Sequence, residues 1–199
     1  MKRKLLKALA LLFALVLIST GCQQAAMKNV VAPYSLTGSQ KELLQYLNMS
    51  DTAMLFSYRS PDETLSVTAS SYVLEQGAWV KNGEGTIFWD GQDKEHTPEG
   101  VFTLIFQEDR SFEMSLSAQG TSSFHSDPIE FSGDLTSFSH ARLSEEQEIQ
   151  LDQEIPVALF VADNGNSMPS FSTDTYFSPE TFQDMDIVQA VTLTFSKTP

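Results

Sequence analysis

Apolar and polar residues alternate with a period of two along most of this chain, the pattern of half-buried strands. Met54, Phe56 and Tyr58 alternate with Leu55 and Ser57, and Leu65, Val67, Ala69 and Val73 alternate with Ser66, Thr68 and Ser70. Phe112, Met114, Leu116 and Ala118 repeat the pattern, and Val191, Leu193 and Phe195 close the chain with it. The two runs Phe112–Leu116 and Val191–Phe195 are expected to face one buried layer. Between the runs lie turn signals. Trp79-Val80-Lys81 meets Asn82-Gly83, a strong hairpin signal, and Thr86 to Trp89 returns. Ile129 and Phe131 open a strand broken at Gly133, and Leu135 to Leu143 form another. Pro156 marks an edge strand or the first residue of a strand.

The period changes to 3.6 at two places. Ser39-Gln40-Lys41-Glu42 reads as a capping box, with Leu43, Leu44 and Leu47 at helical spacing behind it. The predicted helix covers about 40–48 and packs on the domain. Ser178-Pro179-Glu180 starts a second short helical piece. About eight to ten strands with one or two short helices describe an all-β fold, an antiparallel β-sandwich or open barrel.

The first residues break the pattern. Met1 to Lys7 carries four basic residues, an apolar run follows from Ala8 to Ile18, and Ser19-Thr20-Gly21-Cys22 ends it. The run is shorter than the roughly 20 residues a spanning helix needs, and suits a secretory signal. With small residues just before the only cysteine, Ile18 to Cys22 resembles the lipobox of bacterial lipoproteins. That resemblance implies cleavage before Cys22, acylation of its thiol, and attachment to membrane lipid on the outer face of the cytoplasmic membrane. Ser19 stands where such boxes most often carry Leu. The expected organisation is a signal peptide over 1–21, a lipidated tether over 22–38 and a single β-sandwich domain over 39–199.

Composition narrows the function. Removing residues 1–21 takes four of the twelve basic residues and no acid, leaving eight against 26 and a formal charge of −18. Such a surface repels polyanions, so nucleic acid is not an expected partner. With Cys22 acylated no thiol remains for a disulfide or a thiolate metal site.

From about Lys41 onward the chain resembles a family of lipoproteins of low-GC Gram-positive bacteria with no established activity. The stretches that carry this are the helix opener before Leu43-Leu44, Gly77-Ala78-Trp79, Gly100, Glu154-Ile155-Pro156-Val157, Asn166-Ser167-Met168 and Ala190 to Phe195. The resemblance implies fold and location alone.

Residues that could carry chemistry are few. Asp90, Asp93 and Glu95 gather carboxylates near His96, but Lys94 intrudes and the spacing is not that of an EF-hand, so a solvated loop is expected. Asp163-Asn164-Gly165-Asn166 reads as a turn with positive φ, and His125 and Asp127 as surface residues. No G-x-S-x-G or H-E-x-x-H occurs, and no cofactor is expected. Trp79 and Trp89 could face each other across the Asn82-Gly83 turn and stack on a sugar, although filling the core is the more ordinary use of such rings. The expectation is a non-enzymatic, membrane-anchored module that binds an envelope glycan or protein. An envelope hydrolase using a carboxylate pair, or a carbohydrate-binding module, are the alternatives.

Overall fold

The computed structural model describes residues 28–89 and 99–198. These residues form β1 (Val30–Pro33), α1 (Gly38–Tyr46), β2 (Ala53–Arg59), β3 (Ser66–Glu75), β4 (Ala78–Phe88) and β5 (Glu99–Phe106). They continue with β6 (Phe112–Ser117), β7 (Thr121–His125), β8 (Ser137–Arg142), β9 (Gln147–Glu148), β10 (Glu154–Asp163) and β11 (Ile187–Ser196). Two short 3-10 turns, Thr173–Phe177 and Pro179–Phe182, lie between the last two strands. One sheet has the order β7-β6-β5-β2-β1-β9 and the other β4-β3-β11-β10-β8, with every pairing antiparallel. The fold is an all-β sandwich.

Period-two alternation builds the interior as expected. Phe112, Met114 and Leu116 of β6 share one core with Val191, Leu193 and Phe195 of β11, and all six are fully buried. Phe56 stacks near Phe102 on the neighbouring strand, and Tyr58 meets Phe195 edge-on across the sheets at 5.5 Å.

A second apolar cluster lies on the outer face of the β4-β3-β11-β10-β8 sheet. Leu159, Val161, Val188 and Ala190 point outward there and are covered by Tyr176 and Phe182 of the 3-10 turns, with Met168, Phe171 and Met185 around them. This explains why β10 and β11 read as nearly continuous apolar runs. Both faces are buried, one under the other sheet and one under the 164–186 segment.

Several local expectations are corrected. Asn82-Gly83 is no hairpin turn; β4 runs straight through it. The turn is Gln76-Gly77, whose φ values of 51° and 81° give the paired left-handed residues a two-residue hairpin uses. Asn82 is instead the extra residue of a bulge, because Ser71 pairs Gly83 while Tyr72 pairs Lys81. Its side chain accepts from Ser71 Oγ at 2.8 Å, and its carbonyl accepts from the Asp127 N–H at 2.9 Å. Residues 30–33, read as tether, form a strand between β2 and β9, since Val31 supplies a fully buried side chain. Thr37, not Ser39, caps α1, with Gln40 as its reciprocal partner. The helix has no buried residue and leaves Leu43, Tyr46 and Leu47 exposed rather than packed on the domain. Ile129 and Phe131 lie outside any strand. Pro156 sits inside β10, a central strand, where pairing with β8 has not yet begun and a bulge separates it from Ala158.

The sandwich is sealed on one side and open on the other. At the sealed side β4 and β7 meet: the Gly83 backbone lies against Ser126, and Gly85 against the Phe124 ring. A Cβ on Gly85 would stand 2.1 Å from that ring, so only glycine allows the approach. On the opposite side β8 ends its sheet, and two cavities open there.

Candidate functional site

The bulge at Asn82 decides where the tryptophans go. Trp79 and Trp89 are both odd-numbered and would share a face of an unbroken strand, but the extra residue reverses the alternation between them. Trp79 packs in the outer cluster and Trp89 against the inner core. The structure therefore does not bring them together. Trp79 is partly buried, stacked on Tyr176 at 5.0 Å, and its Nε1–H donates to the Tyr176 carbonyl at 2.9 Å.

Beneath Trp79 lies a hydroxyl–carboxylate cluster. Tyr176 donates to Glu154 Oε2 at 2.6 Å, Tyr72 donates a very short hydrogen bond to Glu154 Oε1, and Thr192 Oγ1 stands 3.4 Å from that oxygen. Burial, then the Glu154 hydrogen bond and its negative charge, push the Tyr72 hydroxyl up to about 12 and raise Tyr176 as well. These groups tie the covering segment to the sheet.

The other sequence candidates are dispersed. Cys22, Asp90, Asp93 and Glu95 lie outside the described residues. His125 and Asp127 are exposed on and just after β7. Among the described residues no three His, Cys, Asp or Glu side chains gather as a metal site, and no helix is long and apolar enough to cross a membrane. Asp163 to Asn166 is a turn, but Gly165 does not take positive φ. Its N–H is held by the Asp163 carboxylate at 2.7 Å, and its carbonyl accepts from Thr136 and Ser137.

What the structure adds is a cleft of about 420 Å³ on the open side of the sandwich. Its walls come from Asp51 and Thr52 just before β2, the end of β5, the start of β8 and the facing ends of β10 and β11. Phe160 is the centre of an aromatic wall. It stacks on Phe106 at 4.8 Å, meets Phe112 at 5.0 Å and lies nearly parallel to the His140 ring at 6.3 Å. Phe138 stands at the mouth, 68% exposed.

The floor is polar and fixed. Gln189, 1% exposed, donates its Nε2–H to the Arg110 carbonyl at 2.8 Å across the two sheets. Arg110 takes φ of 64° in a tight turn, and its guanidinium donates to the Ile129 carbonyl. Asp109 braces the same turn by accepting from the Ser111 N–H and hydroxyl, which hold its carboxyl below the usual carboxylate range. A largely apolar pocket of this size with a few fixed polar groups is the usual form of a ligand site.

Sequence reading missed this cleft, though two signals pointed to it. Gln189 is an amide within the otherwise apolar run Ile187 to Val191, on the inward-facing parity. Phe138, His140 and Arg142 share the inward face of β8 while the neighbours at its other face are small. A polar or cationic group at an inward strand position marks where the opposing sheet fails to cover it.

No curated protein and no solved structure matches this chain. A family model does: the chain belongs to the YgaN domain family, whose model covers residues 30–194, nearly the whole sandwich from β1 to β11.

Proposed function

We propose that this chain is a non-enzymatic binding module, lipid-anchored through Cys22 on the outer face of the cytoplasmic membrane of a Gram-positive cell. The basic leader, the apolar run and the single cysteine behind small residues support the anchor. Two or more acyl chains would hold the domain stably at that surface. The observation that carries the binding reading is the cleft walled by Phe106, Phe160, His140 and the exposed Phe138. Its aromatic faces suit a flat apolar surface, such as one side of a sugar ring in an envelope glycan.

The test uses soluble peptidoglycan fragments titrated into protein with labelled methyl groups. Saturable shifts at Ala162 and Ile187, both lining the cleft, that vanish in Phe138→Ala support the reading. Phe138 is exposed, so this variant keeps the fold. No shift at those methyls would sink glycan binding at the cleft.

A further inference from the structure

A second cavity, of about 490 Å³, continues along the same open side, between the middle of β2, the end of β1 and the end of β8. Its chemistry differs from that of the cleft. The polar side chains on its wall are Tyr34, Ser35, Lys41, Arg142 and Ser144, and each of them can donate a hydrogen bond. No Asp, Glu, Asn or Gln lines it. The remainder is apolar, including Leu36, Met54 and Leu55.

That lining is unusual for this chain. After residue 21 it carries eight basic residues against 26 acidic ones. Arg59, Lys81 and Lys197 are in ion pairs, and Arg110 donates to the Ile129 carbonyl. Lys28, Lys41 and Arg142 pair with no acid among the described residues, and of these Lys41 and Arg142 face one cavity. They come from elements far apart in sequence, α1 and β8. Two cations on the wall of one cavity that no Asp or Glu lines make that wall locally positive.

We infer that this groove is an anion site that takes the oxyanion head of an amphiphile. Arg142 and Lys41 receive the charge, the hydroxyls of Tyr34, Ser35 and Ser144 supply further donors, and Leu36 and Leu55 lie along the aliphatic stem. The guanidinium suits a phosphate or carboxylate because its planar N–H groups match two oxygens at once. This site uses other residues than the aromatic cleft and does not depend on what the cleft binds.

The experiment takes the full chain in phosphatidylcholine nanodiscs with Leu and Met methyl groups labelled. The probe is n-hexyl phosphate, with inorganic phosphate and neutral n-hexyl glucoside as comparisons. Hexyl phosphate should shift Leu36 and Leu55 saturably. The double variant Lys41→Gln/Arg142→Gln should weaken it by about tenfold or more, the usual scale for losing charge-assisted hydrogen bonds. Both side chains are exposed, so the double variant keeps its fold. The glucoside should bind at least about tenfold more weakly than the phosphate ester, which isolates the charge.

Equal binding of glucoside and ester, or unchanged affinity in the double variant, would overturn the inference. Inorganic phosphate binding as tightly as the ester would remove the aliphatic stem from it and so refute the amphiphile. Affinity lost in Phe138→Ala but kept in the double variant would put the ester in the aromatic cleft, overturning this site while leaving the proposed function standing.

Discussion

Tyr176 donates its hydroxyl to the carboxylate of Glu154 at 2.6 Å, which joins a 3-10 turn of the covering segment to the first residue of β10. The second carboxylate oxygen is taken by Tyr72 of β3. One side chain therefore holds three elements of the outer cluster together.

Removing that carboxylate should loosen the cover. Glu154→Ala leaves two partly buried phenols without their acceptor, at a cost of about 1–3 kcal/mol. The sandwich should still fold, because the inner core does not touch this site. Calorimetry should show a lower melting temperature, and hydrogen exchange should quicken over residues 164–186 before it quickens in β6. Uniform quickening across the whole domain would refute the local role.

The same cluster sets an alkaline limit. The Tyr72 hydroxyl is raised from 10.0 to about 12, and Tyr176 and the buried Tyr58 are raised too. Between those values the folded state keeps protons that the unfolded state has released, so stability falls as pH rises. It is fully present below about pH 10 and declines from there toward pH 12. In Glu154→Gln one cause of the raised values is gone, so the decline should be shallower. Denaturant midpoints at pH 8, 10 and 11 check this; parallel loss in the two proteins would refute it.

The inner core gives the clearest contrast of substitutions. Phe195 is fully buried against Tyr58, whereas Ser117 on β6 is part-exposed and bonds only Thr121 with its hydroxyl. Phe195→Ala should cost about 3–5 kcal/mol, and Ser117→Ala less than about 0.5. For a domain of this size each kcal/mol moves the melting temperature by about 2–4 °C. Similar small shifts for both would contradict the assigned faces.

Alternation made these faces legible. Period-two patterning located β2, β3, β6 and β11 and the inward parity of Phe112, Met114, Leu116, Val191, Leu193 and Phe195, because burial of one face imposes that period directly. Turn chemistry was less legible. Asn82-Gly83 carries the residues of a hairpin turn, but the tight packing of β4 on β7 needs a glycine there for another reason, and Gln76-Gly77 makes the turn. The candidate cleft left only indirect traces, the amide of Gln189 in an apolar run and the inward parity of Phe138, His140 and Arg142. It arises where β8 overhangs the opposite sheet, and strand order across a sandwich is set by pairings far apart in sequence, such as Val30 with Arg59 and Ala158 with Arg142.

The seam between β4 and β7 offers a test of that packing. Gly85→Ala would place a methyl 2.1 Å from the Phe124 ring, and the contact includes the ring atom nearest the backbone, so the whole ring must swing away. Such overpacking costs about 1–3 kcal/mol, more than the roughly 0.4–1 kcal/mol that alanine returns by stiffening the unfolded chain. Phe124→Ala should also destabilise, but the double variant should cost less than the two single changes added, since the clash is gone. Additive losses would show that the two residues do not meet.

The anchor can be tested without knowing the ligand. Cys22 is the only thiol in the chain, so acylation has no alternative site. In Cys22→Ala the thioether cannot form, and the leader can no longer be exchanged for lipid at that position. The protein should then accumulate as an unprocessed precursor or pass into the medium, and labelled palmitate should no longer enter it. The β-sandwich should be unaffected, because β1 begins eight residues later, at Val30. The folded state of secreted Cys22→Ala, followed by its melting temperature, should match that of the anchored form. Normal processing with unchanged membrane association would sink the lipid anchor, and with it the outer-face location on which the proposed function depends.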